Sequence, residues 1–205
     1  MNPQNLTVYI VDDDYTFRES LEELTGRMGY KVQGFGSAED FLKQNLVQRP
    51  ACLLLDMYLP RLDGFALQED LQDKGIAVPI IFITGHGDIP MSVKAIKQGA
   101  VDFLLKPFNA GELRSAIISA HKLDKQNVKE AAQRARILSL IATLTSREDE
   151  VMRQIITGKL NKQIAVTLGT AEKTIRKHRG RVMKKMRLSS VAKLVQALEK
   201  VGIST

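Results

Sequence analysis

Three aspartates at two places in the sequence could together bind a divalent cation. Asp12 and Asp13 directly follow the apolar run TVYIV (residues 7–11), and Asp56 ends the apolar run ACLLLD (residues 51–56). Carboxylates held close together raise one another's pKa values, because like charges at short range disfavour ionisation. Mg²⁺, a hard cation that prefers oxygen ligands, would offset this repulsion. If the two runs end side by side, the sequence predicts a Mg²⁺ site.

Two further polar residues end apolar runs and could hold an anion next to that cation. Thr84 ends PIIFIT (residues 79–84), and Lys106 ends DFLLK (residues 102–106). A hydroxyl donor and an ammonium group stabilise negative charge when both point at it. Taken alone, an aspartate after a strand fits a turn or helix cap and a lysine before proline fits a solvated loop, so the prediction depends on all these residues meeting. Asp14 is expected only to cap the helix that follows it.

The elements that must position these residues are short strands alternating with helical segments. The strand candidates are residues 7–11, 31–35, 51–56, 79–84 and 102–106. Apolar residues at helical spacing lie between them, and Asn109 with Glu112 would cap the fifth helix. Five such units predict an α/β fold with a doubly wound, five-stranded parallel sheet. Ligands of such sheets bind at the carboxyl ends of the strands, where the polar residues are expected.

Charge divides the 205-residue chain into unlike parts. Residues 1–121 hold 11 Lys+Arg against 16 Asp+Glu, residues 122–143 hold 5 against 2, and residues 144–205 hold 14 against 5. This asymmetry predicts two domains with different partners, the basic one being a candidate for nucleic acid. Residues from about 112 to 142 fit one long helix, with a flexible charged tether as the alternative. No apolar run is long enough for a membrane span and Cys52 is the single cysteine, so we expect a cytoplasmic protein without a membrane partner.

The basic segment after Leu144 has the pattern of four short helices. Thr145 and Glu148 have the spacing of a capping box, and the middle pair of helices is arranged like a helix-turn-helix. On the third of these helices, one face would pack and the opposite face would be basic. The residues assigned to the packed face are Ala171, Ile175, His178, Val182 and Met186.

The basic face of that helix is a candidate DNA-binding surface. Arg176 and Lys177 are assigned to base edges, since Arg and Lys pair well with guanine acceptors. Phosphate contacts are assigned to Lys162, Arg179, Lys184 and Lys185, and the remaining candidates for the surface are Lys173, Thr174 and Arg181. Gly180 removes one side chain from the middle of this face and lowers helix stability by about 1 kcal/mol relative to alanine. The alternative is a solvated cationic helix without a partner.

The blocks VDDD, LLLDMYLPRLDG, FITGHGD and DFLLKPF resemble the signature blocks of two-component receiver domains, which have a flavodoxin-like fold. The resemblance implies that Asp56 accepts a phosphoryl group. It implies that Asp13, Asp56 and the backbone carbonyl of Tyr58 ligate Mg²⁺ directly, and that Asp12 acts mostly through water. Lys106 would pair with the phosphoryl group.

The same resemblance implies a conformational switch. Thr84 would hydrogen-bond the phosphoryl group, and its movement would make room for Phe103 to turn inward. The Lys106-Pro107 bond resembles the cis peptide of the family.

Tyr58 and His86 would flank the water that removes the phosphate. Our hypothesis is that these two bulky residues shield the phosphoryl group and lengthen its lifetime. His86 acting as a general base is the alternative.

The stretch LTSREDEVMRQIITGKLNKQIAVTLGTAEKTIRKHRGRVMKKM resembles the LuxR/NarL-type helix-turn-helix, and the whole chain is similar to the FixJ subgroup. We therefore expect a receiver domain at 1–122, a helical linker at 123–143 and a DNA-binding domain at 144–205. The implied partners are a sensor histidine kinase and double-stranded promoter DNA with paired half-sites, with RNA polymerase as a further candidate. Phosphorylation would promote a homodimer through the fourth helix and the fifth strand.

Two rival functions come from other classes. An enzyme that turns over an aspartyl phosphate would need a second carboxylate two residues after its nucleophile, and that position is Tyr58. A phosphorelay or interaction module without a DNA role is the second rival. The residues favour a transcription regulator that catalyses only its own phosphorylation and dephosphorylation.

Overall fold

A computed structural model of the chain describes residues 6–43, 48–85 and 89–204. The chain divides into two compact units, Met1–Val128 and Lys129–Thr205. His86, part of the shielding hypothesis, lies outside the described residues. In the part of the chain that the structure describes, no helix is both long and apolar enough to span a membrane.

The N-terminal unit contains a five-stranded sheet in the order β2-β1-β3-β4-β5, with every neighbouring pair parallel. The strands are β1 (Thr7–Val11), β2 (Lys31–Phe35), β3 (Ala51–Asp56), β4 (Ile80–Thr84) and β5 (Asp102–Leu105). The helices that follow them are α1 (Tyr15–Arg27), α2 (Ala38–Leu42), α3 (Gly64–Asp73), α4 (Ile89–Lys97) and α5 (Ala110–Ile141). The predicted α/β fold is confirmed.

Apolar cores cover both faces of this sheet. Phe41, Leu67 and Ala95 of α2, α3 and α4 pack with one set of strand residues, and Leu21 of α1 and Ile117 of α5 pack with the other set. Strands β1, β3 and β4 are buried along their whole length, as expected for parallel strands covered by helices on both sides. Such strands read as continuous apolar runs, so the polar residues at their carboxyl ends stand out in the sequence.

Side chains cap the helices where the sequence predicts. Asp14 accepts a hydrogen bond from the backbone N–H of Phe17 at 3.1 Å, at the start of α1. Asn109 and Glu112 bond each other's backbone N–H groups at 3.0 and 2.9 Å at the start of α5. Both predicted caps are confirmed. Because each cap satisfies N–H groups that have no partner inside the helix, it fixes the residue at which the helix begins.

The C-terminal unit is built from helices. They are α6 (Ser146–Ile156), α7 (Asn161–Thr167), α8 (Glu172–Lys185) and α9 (Val191–Glu199). The capping box of Thr145 and Glu148 is present at the start of α6. Ile155, Ile175 and Leu194 form a shared core, which Ile137 of α5 joins. Residues 123–141 are helical, in agreement with the predicted helical linker rather than the tether, whereas the domain boundaries at 122 and 143 stay predictions.

Candidate functional site

The three aspartates predicted to hold a cation lie together at the carboxyl ends of β1 and β3. Val11 pairs in register with Leu55, so Asp12 and Asp56 follow side by side. One oxygen from each of Asp12, Asp13 and Asp56 lies within 4.8 Å of the others. Asp12 is 2% exposed and Asp56 9% exposed, while Asp13 is open to solvent. This set of oxygen ligands, open on one side, suits Mg²⁺, which keeps several of its waters.

Lys106 bridges two of these carboxylates. Its Nζ lies 2.8 Å from Asp12 Oδ2 and 2.9 Å from Asp56 Oδ2. Burial alone would lower the pKa of Lys106, but the hydrogen bonds to Asp12 and Asp56 outweigh burial and raise the pKa above its ordinary value. The ammonium group therefore stays charged between Asp12 and Asp56.

The site disfavours the charged form of Asp12. Burial and the neighbouring Asp56 raise the pKa of Asp12 to about 6, although the hydrogen bond from Lys106 acts in the opposite direction. The hydrogen bond from this one ammonium group is thus not enough to keep the pKa of Asp12 at its ordinary value. A bound divalent cation would supply the missing charge.

The remaining predicted residues of this site lie around the carboxylates. Thr84 is fully buried at the end of β4, and its carbonyl accepts a hydrogen bond from Lys106 N at 2.7 Å. Phe103 is half-buried against the core and pairs in register with Phe82. The backbone N–H of Tyr58 donates to Asp56 Oδ1 at 3.0 Å, and its ring is 52% exposed. The Lys106-Pro107 bond is cis, as the resemblance implies.

Sequence reasoning missed three contributors to this site. Lys106 Nζ lies 3.7 Å from the centre of the Phe17 ring, and Arg18 Nη1 donates to the carbonyl of Asp12 at 2.5 Å. A Cβ added to Gly64 would lie 2.8 Å from the carbonyl oxygen of Asp56, so only glycine allows this approach. The position of Phe17 and Arg18 in the first turn after the aspartates could have indicated that they lie near them.

The exposed face of α8 carries most of the predicted DNA contacts. Ile175, Val182 and Met186 are buried. The exposed residues are Lys173, Arg176, Lys177, Gly180, Arg181 and Lys184. The assignment of Ala171 to the packed face is wrong, because this residue precedes the helix as its N-cap and is exposed. His178 is half-buried, in keeping with a structural role.

The other predicted DNA contacts differ in their surroundings. Lys162 is exposed on α7 and Thr174 is half-buried, while Arg179 Nη1 donates to Asn161 Oδ1 at 3.2 Å. Lys185 Nζ lies 2.5 Å from Glu148 Oε2. The hydrogen bond from Lys185, with those from Thr145, lowers the pKa of Glu148 to about 2. The charge of Lys185 is therefore held by a carboxylate of its own unit, and its contact with DNA stays a prediction.

Comparison with known proteins identifies both units. The family model for the response regulator receiver domain matches residues 8–118. The model for bacterial regulatory proteins of the luxR family matches residues 142–198. The chain is a response regulator with a LuxR-type DNA-binding domain. With this output domain the response regulator is not a classical enzyme, and the family implies a histidine kinase and DNA as partners.

Relatives match this chain over most of their length and of its own. The response regulator is 46% identical to nodulation protein W of Bradyrhizobium diazoefficiens, over 96% of this chain and 87% of the relative. It resembles the solved structure of response regulator StyR with a TM-score of 0.78 and 41% identity, over 96% and 99% of the two chains. For full-length FixJ from B. japonicum the TM-score is 0.57 and the identity 36%, over 97% and 98%. The predicted FixJ-like resemblance is confirmed.

Proposed function

We propose that Asp56 is the phosphoacceptor of this response regulator. A carboxylate oxygen of Asp56 attacks the phosphorus of a phosphohistidine on the kinase or of a small phosphodonor. The bond from phosphorus to the donor's nitrogen or oxygen breaks, and the donor keeps the electron pair. The observation that carries this proposal is the position of Lys106 Nζ, 2.9 Å from Asp56 Oδ2. The ammonium group is placed to bind the oxygens of the transferred group.

The cofactor we propose is Mg²⁺, held directly by Asp13, Asp56 and the carbonyl of Tyr58, with Asp12 acting through water. The donor set supports this, since it offers oxygen atoms alone within 4.8 Å of one another. When bound, the ion neutralises the carboxylates and the incoming phosphoryl oxygens. Asp12 and Lys106 then orient Asp56 for the attack.

The proposed switch connects Thr84 to Phe103 and promotes dimerisation. Thr84 hydrogen-bonds the phosphoryl group, and Phe103 turns into the space that the movement of Thr84 leaves. Exposed apolar residues support an interface nearby: Ile89, Val93 and Ile96 recur at helical spacing on α4, and Leu105 is 49% exposed on β5. Two paired chains would bind two half-sites, which raises a modest affinity through effective concentration.

The output we propose is sequence-specific DNA binding by α8, with Arg176 and Lys177 at base edges. The supporting residues are the exposed cations Lys162, Lys173, Arg181 and Lys184, together with Thr174, Arg179 and Lys185. The same proposal includes three further parts. The functional boundaries lie at 122 and 143, RNA polymerase is a further partner, and Tyr58 shields the phosphate. A Tyr58→Ala variant should lose its phosphate faster than the wild type.

Two measurements test the proposal. In sizing experiments, a beryllofluoride mimic should convert the wild type from monomer to dimer and leave Asp56→Asn monomeric. An unchanged mass of the wild type would contradict the dimer switch.

In footprinting on genomic fragments, the phosphorylated wild type should protect paired half-sites. An Arg176→Ala, Lys177→Ala variant should lose this protection, and equal protection would contradict their assignment to base edges.

A further inference from the structure

The end of α8 has an unusual backbone conformation. Arg187 has a φ of +55° and is, among the described residues, the only residue other than glycine with a positive φ. Its N–H donates to the carbonyl of Lys184 at 3.2 Å, and the N–H of Leu188 donates to that of Met183 at 3.1 Å. This pair of bonds is a Schellman motif, which requires a left-handed residue directly after the helix. Glycine adopts this conformation without strain, whereas a residue with a Cβ is disfavoured in it.

Other helices of this chain end with glycine at the same kind of position. The glycines with positive φ that follow helices are Gly29, Gly75, Gly99, Gly158, Gly169 and Gly202. Arginine at 187 is therefore the exception within one sequence. Since strained residues tend to mark functional positions, the side chain of Arg187 is the feature to explain.

The side chain of Arg187 lies in a basic depression of the C-terminal unit. Arg181, Lys184, Lys185 and Arg187 line it together, with the uncharged Leu140 and Thr143 and the buried Glu148. Glu148 is paired with Lys185. Across the residues that the structure describes, no ion pair involves Arg181, Lys184 or Arg187. Three exposed cations without a carboxylate partner around one concave surface would repel each other, and they suit a phosphate group.

We propose that Arg187, with Arg181 and Lys184, binds a backbone phosphate of DNA just beyond the part of α8 that reads bases. This inference rests on the proposed DNA binding by α8 and adds Arg187, which lies beyond the end of the helix, to the residues that contact DNA. The left-handed conformation places the arginine at the end of the helix, where a glycine would offer no charge. The contact positions the protein on the duplex without selecting its sequence.

The decisive variant is Arg187→Gly in the full-length protein, because the two roles of this residue predict opposite effects. Glycine relieves the backbone strain, so the melting temperature should be unchanged or higher. Affinity for a mixed-sequence DNA duplex should fall, and the plot of log K against log salt should become less steep by about 0.9 for each bound protomer. When the two proteins bind equally at 1 M salt, this difference in slope makes the affinity of Arg187→Gly about eightfold lower than that of the wild type at 0.1 M salt.

Two matched variants complete the experiment. Arg187→Lys keeps the charge and should keep the salt slope of the wild type. Lys200→Gln removes one exposed cation at the far end of α9 and should leave the slope unchanged. An unchanged slope in Arg187→Gly would overturn the inference, as would an equal decrease in Lys200→Gln.

Further results separate the possible sources of failure. Inorganic phosphate could raise the melting temperature of the wild type while Arg187→Gly keeps the wild-type salt dependence of its affinity for DNA. These two results together would assign the depression to free phosphate and overturn the inference. A wild type without salt-dependent affinity for DNA would instead contradict the proposed function itself. Wild-type binding that Arg187→Gly retains in full would overturn only the role of Arg187.

Discussion

Removing one carboxylate from the acidic cluster should stabilise the N-terminal unit when no metal is bound. The pKa of Asp12 is raised from 3.8 to about 6 by burial and by Asp56, a difference equivalent to about 3 kcal/mol between its two protonation states. Because the folded protein binds this proton more tightly than the unfolded chain, stability falls as pH rises from 3.8 through 6. Asparagine resembles the neutral form and does not titrate.

Asp12→Asn should therefore raise the free energy of unfolding at pH 7.5 in the presence of a chelator. The gain should be about 1–2 kcal/mol, below the full 3, because the amide group loses part of the hydrogen bonding with Lys106. At pH 4 the difference should nearly vanish, since Asp12 is protonated in the folded wild type. Mg²⁺ at a hundredfold excess over its Kd should stabilise the wild type by about 2.7 kcal/mol and the variant by less.

Urea unfolding followed by tyrosine fluorescence measures this in the full chain. The protein has no tryptophan, and its four tyrosines, at positions 9, 15, 30 and 58, all belong to the N-terminal unit. Asp14→Asn is the matched control, because this exposed cap should change stability by less than about 0.5 kcal/mol. A loss of stability in Asp12→Asn that is equal at pH 7.5 and pH 4 would refute the electrostatic reasoning.

Two further predictions concern the C-terminal unit. Far-ultraviolet circular dichroism of the full chain can follow the unfolding of this unit. Glu148→Gln should lower stability at pH 7 by about 1–2 kcal/mol, because it removes the partner of Lys185. Since the pKa of Glu148 is depressed to about 2 from 4.5, the loss should shrink as pH falls through this range, and a loss that persists unchanged at pH 2 would count against the ion pair. Gly180→Ala should raise stability by about 0.5–1 kcal/mol, because an added Cβ meets no atom within 4 Å; a destabilised variant would contradict this.

The positions of the strands and of the polar residues at their ends could be predicted from the sequence. The buried strands β1 and β3 are short apolar runs, β2 is partly exposed, and all three begin and end at the predicted residues. The order of the sheet then brings Asp12 and Asp56 together, because Asp12 directly follows β1, Asp56 ends β3, and these two strands pair. Spacing along the chain was sufficient for this part of the site.

Which side chains pair with one another could not be predicted. Lys185 is bound to Glu148 rather than freely exposed, and Asp124 of α5, fully buried, pairs with Arg49 and accepts from Ala51 N at 3.0 Å. Such pairs join residues far apart in sequence, and their formation depends on how a helix packs against its neighbouring helix, strand or loop. Periodicity places a residue on a face of its helix and contains no information about the neighbouring element.

The most direct test of the account is the mass of the protein after incubation with a small phosphodonor. With Mg²⁺ present, the wild type should gain the mass of one phosphoryl group, which peptide mapping should locate on Asp56. The gain should disappear in Asp56→Asn and when a chelator removes the metal. A wild type that gains no mass with donor and Mg²⁺, or gains it on another residue, would contradict the central claim that the acidic cluster prepares Asp56 for phosphorylation.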